Sequence, residues 1–151
     1  MIKNLSLFNH IACFLLITNI AFAQTKLNVL VFSKTAGYRH ESIGASITAL
    51  TNMSKEKGFD VYFTEESSYF NEQNLKKYKV VIFLNTTGDV LNKEQEHAFE
   101  RFIQAGGGYV GIHAATDTEY DWPWYNKLAG AYFLDHPNTP SNVQNGKFYV
   151  V

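Results

Sequence analysis

The sequence predicts an α/β domain in which a mostly parallel sheet is sandwiched between helices. Two observations carry this. Short apolar runs rich in β-branched residues (27–33, 79–84, 109–112) alternate with stretches of helical periodicity, and each run ends in polar or glycine residues. Strands apolar on both faces need cover on both sides, and strands separated by helices pair in parallel. No repeat or low-complexity segment breaks the alternation.

Residues 27–33 form the first buried strand. Residues 42–57 read as a helix, with Ile43, Ile47, Leu50 and Met53 near helical spacing and Gly58 where a C-terminal cap belongs. A second strand is expected at 60–64, a short helix at 71–77 and a third strand at 79–84. The next helix starts at Asn92, whose partner Gln95 three positions on completes a capping-box arrangement. Its apolar face is Ala98, Phe99, Phe102 and Ile103, and Gly106-Gly107-Gly108 stops it. Residues 109–112 are the last clear strand. Residues 147–151 read as another strand just beginning, so a domain cut short at its C-terminus is expected.

Residues 1–23 read as a signal peptide rather than as part of the fold. Lys3 gives a positive start, residues 11–17 an apolar core too short to span a bilayer, and Ala21-Phe22-Ala23 a small-x-small cleavage site before Gln24. The expected mature chain, residues 24–151, is a single domain, periplasmic or secreted, without a stable membrane anchor. The only cysteine, Cys13, lies in the signal. The mature chain therefore has no thiol nucleophile, disulfide or thiolate metal ligand. A formal charge of −1 gives no electrostatic case for nucleic acid, and an aromatic content of 15% suits a neutral polar ligand.

Ligands of open parallel sheets bind beyond the carboxyl ends of the strands. Three segments leave strands in that direction: 34–42, 85–89 and 113–117. They would gather His40, Glu41, Thr86, Thr87, His113 and Asp117 on one rim. Gly111-Ile112-His113-Ala114-Ala115 has the pattern of a nucleophile elbow, where a sharp strand-to-helix turn between small residues projects one side chain. A helix after that turn would offer free N–H groups to an anion or oxyanion. The projected residue here is His113, which suits proton transfer or metal ligation.

Three segments, Phe32-Ser33-Lys34-Thr35-Ala36-Gly37-Tyr38-Arg39-His40-Glu41-Ser42-Ile43, Gly106-Gly107-Gly108-Tyr109-Val110-Gly111-Ile112-His113-Ala114-Ala115 and Phe133-Leu134-Asp135-His136-Pro137, together resemble the ThuA-like (trehalose-utilisation) family. The resemblance implies a class I glutamine amidotransferase-like fold, a flavodoxin-like three-layer sandwich. In that superfamily the elbow normally holds a catalytic cysteine. With His113 in its place, amidotransferase chemistry is not carried over. The resemblance also implies members longer than this chain and a link to sugar metabolism, including oxidised (3-keto) disaccharides.

The expected catalytic group is His113, assisted by His40 and by Asp117. Four residues past His113, Asp117 shares its face if the turn is helical. The expected carbohydrate contacts are Tyr38, Arg39, Thr86, Thr87, Trp122 and His136. Thr86 and Thr87 are equally explained by a strand-ending turn. In the segment 122–125, Trp124 and Tyr125 with Leu128 can form a helix face against the core, and core packing is the first reading of that segment, ahead of a sugar platform. His97, beside Glu96, reads as part of a solvated helix face. Two alternatives accompany acid/base chemistry. One is a divalent metal held by His40, His113, Asp117 and His136, whose spacing matches no standard motif. The other is a non-catalytic sugar-binding module.

Overall fold

The computed structural model describes residues 26–136. The signal peptide expected at 1–23 and the strand expected at 147–151 lie outside the described residues. The chain runs β1 (Asn28–Phe32), α1 (Ser42–Lys57), β2 (Asp60–Thr64), α2 (Glu72–Leu75), β3 (Val80–Leu84), α3 (Lys93–Gln104), β4 (Gly108–Ile112) and α4 (Pro123–Ala129), with 3₁₀ turns at Ser67–Tyr69 and His113–Thr116. Each strand and helix expected up to β4 is present.

The four strands form one sheet in the order β2-β1-β3-β4, and every pairing is parallel. The alternating side chains of its inner strands feed two cores. Leu30, Phe32, Val81 and Phe83 pack with Leu75, Phe99, Trp122 and Tyr125 on one face. Val29, Val31, Ile82 and Leu84 pack with Ile47 and Leu50 of α1 on the other. The result is three layers, which is what strands apolar on both faces demand. The first core is aromatic: the Phe83 ring stacks on Phe99 and on Tyr125 at centroid distances of 5.3 and 5.4 Å. Met53, expected on the inner face of α1, is 49% exposed, so the apolar contact of that helix ends at Leu50.

Local signals account for the helix ends. The Asn92 side chain accepts from the Gln95 N–H, and the Gln95 side chain accepts from the Asn92 N–H, completing the capping box of α3. Gly58 closes α1 in a left-handed conformation, φ 75°, which glycine adopts without a Cβ clash.

Candidate functional site

The parallel sheet brings the ends of β1, β3 and β4 to one rim, where hydrogen bonds stitch the three segments together. The Thr87 carbonyl accepts from the Ala36 N–H at 2.7 Å, and the Thr87 hydroxyl donates to the Tyr38 carbonyl at 2.9 Å. The Gly88 N–H donates to the Asp117 carbonyl at 2.7 Å, and the Thr118 hydroxyl donates to that of Thr86 at 2.8 Å. Thr86 and Thr87 are fully buried. The two threonines expected to contact carbohydrate are thus the seam between the loops, and they do not line the pocket.

His113 follows β4 with φ 52°, a left-handed conformation costly for a residue with a Cβ. Small neighbours make the turn possible: a Cβ on Gly111 would lie 2.6 Å from the Tyr109 hydroxyl and 3.2 Å from the Ala115 Cβ. From beneath, the Tyr125 hydroxyl donates to the Ala115 carbonyl at 2.7 Å and accepts from the Tyr109 hydroxyl at 2.8 Å. Ala114 and Ala115 are buried while His113 itself is exposed. The elbow read from the sequence is therefore formed, with the imidazole projecting. The segment after it is a four-residue 3₁₀ turn. The expected anion-binding helix start is absent here, because so short a turn aligns too few peptide dipoles.

His113 meets His40 edge to face, with ring centroids 4.5 Å apart, and Tyr38 packs on the other side of His40 at 4.9 Å. These rings, with Asp117, Phe133 and His136, line a pocket of about 480 Å³. That volume lies within the ordinary range for small-molecule sites. Burial, reinforced by His113, lowers the His40 pKa from its ordinary value; Asp117 opposes the shift and His136 adds to it. His40 therefore favours the neutral imidazole that a general base requires.

Asp117 lines the pocket but makes no hydrogen bond to His113. Its Oδ1 lies 2.6 Å from the Tyr120 hydroxyl, whose proton is shared with the Phe133 carbonyl at 2.7 Å. The 3₁₀ geometry after His113 displaces the fifth residue from the face it would take on an α-helix, so the expected orienting role toward His113 is not seen. The Phe133 N–H donates to the Thr116 carbonyl at 2.9 Å, which ties the Phe133-to-His136 segment to the elbow.

Two further expected contacts are elsewhere. Arg39 points away from the pocket and forms a two-pronged pair with Glu65 at 2.7 and 3.2 Å. Trp122 is 6% exposed and stacks on Trp124 and Tyr125, so it is core and not a sugar platform. Among the described residues, no three His, Cys, Asp or Glu side chains converge as a metal-holding group. Sequence reasoning did not single out Phe133, which walls the pocket, or Asn85, left-handed and buried at the end of β3. For Asn85 the signal was available: an Asn just after an apolar strand is a residue suited to φ above zero.

The family model described as ThuA, trehalose utilisation, matches residues 28–151. A solved structure, a ThuA-like protein from Bacteroides uniformis, superposes with a TM-score of 0.59 at 28% identity over 72% of this chain. The match covers 46% of that protein, so this chain corresponds to about half its length. Nothing among curated proteins matches. The elbow, the rim and the family match agree: the chain belongs to the ThuA (trehalose utilisation) family.

Proposed function

We propose that the pocket binds an oxidised sugar and that the histidine pair moves protons beside its carbonyl group. The observation that carries this reading is the edge-to-face contact of His40 and His113 in a pocket with aromatic walls, in a chain with no thiol after residue 24. A neutral imidazole takes a proton from the carbon next to the carbonyl. A second imidazole, protonated, delivers one to the carbonyl oxygen, giving an enediol. The second imidazole, now neutral, then takes the proton of the other enediol hydroxyl while the first delivers its proton to the former carbonyl carbon. This moves the carbonyl to the neighbouring carbon and restores both histidines. Asp117, tethered by Tyr120, offers its remaining carboxylate oxygen to a sugar hydroxyl, while Tyr38 and Phe133 offer ring faces to the sugar's C–H surface. Glutamine hydrolysis is outside this reading, because it needs the elbow cysteine.

The test is deuterium exchange into a 3-keto disaccharide in heavy water. His113→Gly is the informative variant, since glycine removes the imidazole while accepting φ 52°. Exchange should fall about 100-fold or more with the fold intact. Unchanged exchange in folded H113G would sink the reading. Sugar affinity without exchange in the unmodified protein would favour the binding module, which the missing elbow nucleophile supports. The proposal extends to place: removal of residues 1–23 on export, checked by finding Gln24 at the N-terminus of protein recovered outside the cytoplasm.

A further inference from the structure

Asn85 touches both halves of the histidine pair's framework. It is 1% exposed and stands in left-handed backbone, φ 52°, immediately after β3. Its N–H donates at 3.2 Å to the carbonyl of Ile112, the residue immediately before His113. Its Nδ2 donates at 3.1 Å to the hydroxyl of Ser42, the first residue of α1 and two residues beyond His40. Among the described residues its Oδ1 is the one buried side-chain polar atom without a partner. The Ser42 bond alone therefore fixes the carboxamide, and either end of the link can be removed singly.

We propose that Asn85 is a positioning residue, holding the turn that carries His113 and the helix start that carries His40 in one register. Edge-to-face rings 4.5 Å apart depend on the relative placement of two backbones far apart in sequence. Beside the sheet pairing and the loop seam through Thr86, Thr87 and Gly88, this bridge joins the β4 end directly to the start of α1. A buried carboxamide left half-satisfied calls for an explanation other than packing. The inference rests on the histidine pair being the working centre, yet its test uses no sugar and stands or falls separately from the exchange assay.

The test is proton NMR of the imidazoles in the whole protein. The unmodified protein should show a cross-ring NOE between His40 and His113, with ring-current-shifted resonances for both. N85G tolerates the backbone angle but lacks the carboxamide, and should lose the NOE while core methyl shifts persist. N85D is isosteric, accepts the same backbone angle and can take the Ser42 hydroxyl proton, so it should retain the NOE. Persistence of the NOE in folded N85G, or its loss in N85D, overturns the proposal. Should N85G not fold, S42A decides, because Ser42 is exposed and its loss leaves the β3 backbone untouched. His40 resonances should then move more than those of His113, and unmoved His40 resonances overturn the proposal.

Discussion

β3 and β4 end in the same way and serve opposite purposes. Each is followed at once by a residue with φ 52°, Asn85 after β3 and His113 after β4. Asn85 and the two threonines after it are sealed inside the rim, whereas His113 stands in the open above buried alanines. One backbone device thus yields a clasp in the middle of the sheet and a presented side chain at its edge. The difference lies in what surrounds each end. β3 runs between β1 and β4, so its loop is enclosed by theirs; among the described residues β4 has a neighbour on one side alone.

If the exposed end is the working surface and the buried end its foundation, damage below the elbow should cost stability first. Trp122→Ala removes a ring stacked on Trp124 and Tyr125 within the core. It should destabilise by about 3–5 kcal/mol in urea unfolding. Trp122→Phe, which preserves most of the packing, should leave sugar affinity unchanged; weakened affinity in that folded variant would return Trp122 to the binding surface.

The segment beyond the elbow holds a buried acid that reaches back to the loop after β3. Glu119, 2% exposed and at φ 57°, accepts through Oε1 from the N–H groups of Val90 and Leu91, both at 2.8 Å. Burial pushes its pKa up to about 7, the two hydrogen bonds oppose the shift, and Glu96 and Asp89 add to it. The folded state thus holds the proton more tightly than the unfolded chain. Its contribution is fully present below about 4.5 and fades as pH rises through about 7. Stability should fall by roughly 2–3 kcal/mol over that interval. Urea midpoints measured against pH check this, and Glu119→Gln should flatten the slope.

The smallest effect is expected away from both strand ends. Arg39 and Glu65 form an exposed pair outside the pocket, and exposed pairs contribute little. Arg39→Ala should leave the thermal midpoint and sugar affinity as they were. A clear loss of affinity would mean that Arg39 swings into the pocket when ligand binds.

Much of this was legible in advance, because local rules act on contiguous residues. Strand periodicity located β1, β3 and β4, the Asn92–Gln95 spacing located the start of α3, and Gly111 to Ala115 announced the elbow. The candidate site was legible in part. His40, His113, Asp117 and Tyr38 do share one pocket, as strand-end topology implies, and His136, which that topology did not place, joins them. Thr86, Thr87 and Arg39 followed the same reasoning and went elsewhere, because proximity to a strand end does not say whether a side chain faces solvent, a neighbouring loop or the core. Trp122, read from the stacking of aromatic rings on sugars, took the core position weighed beside it.

By itself the sequence determined the order of elements, the parallel sheet and a histidine at the turn in a chain with no cysteine after residue 13. These follow from hydrophobic period, chain connectivity and composition, which need no knowledge of distant neighbours. Tertiary structure alone decided that His40 meets His113, that Asp117 is held by Tyr120 instead of orienting His113, and that Trp122 is buried. Such outcomes depend on a few ångströms between segments tens of residues apart. Packing and hydrogen bonding resolve those distances once the layers have closed.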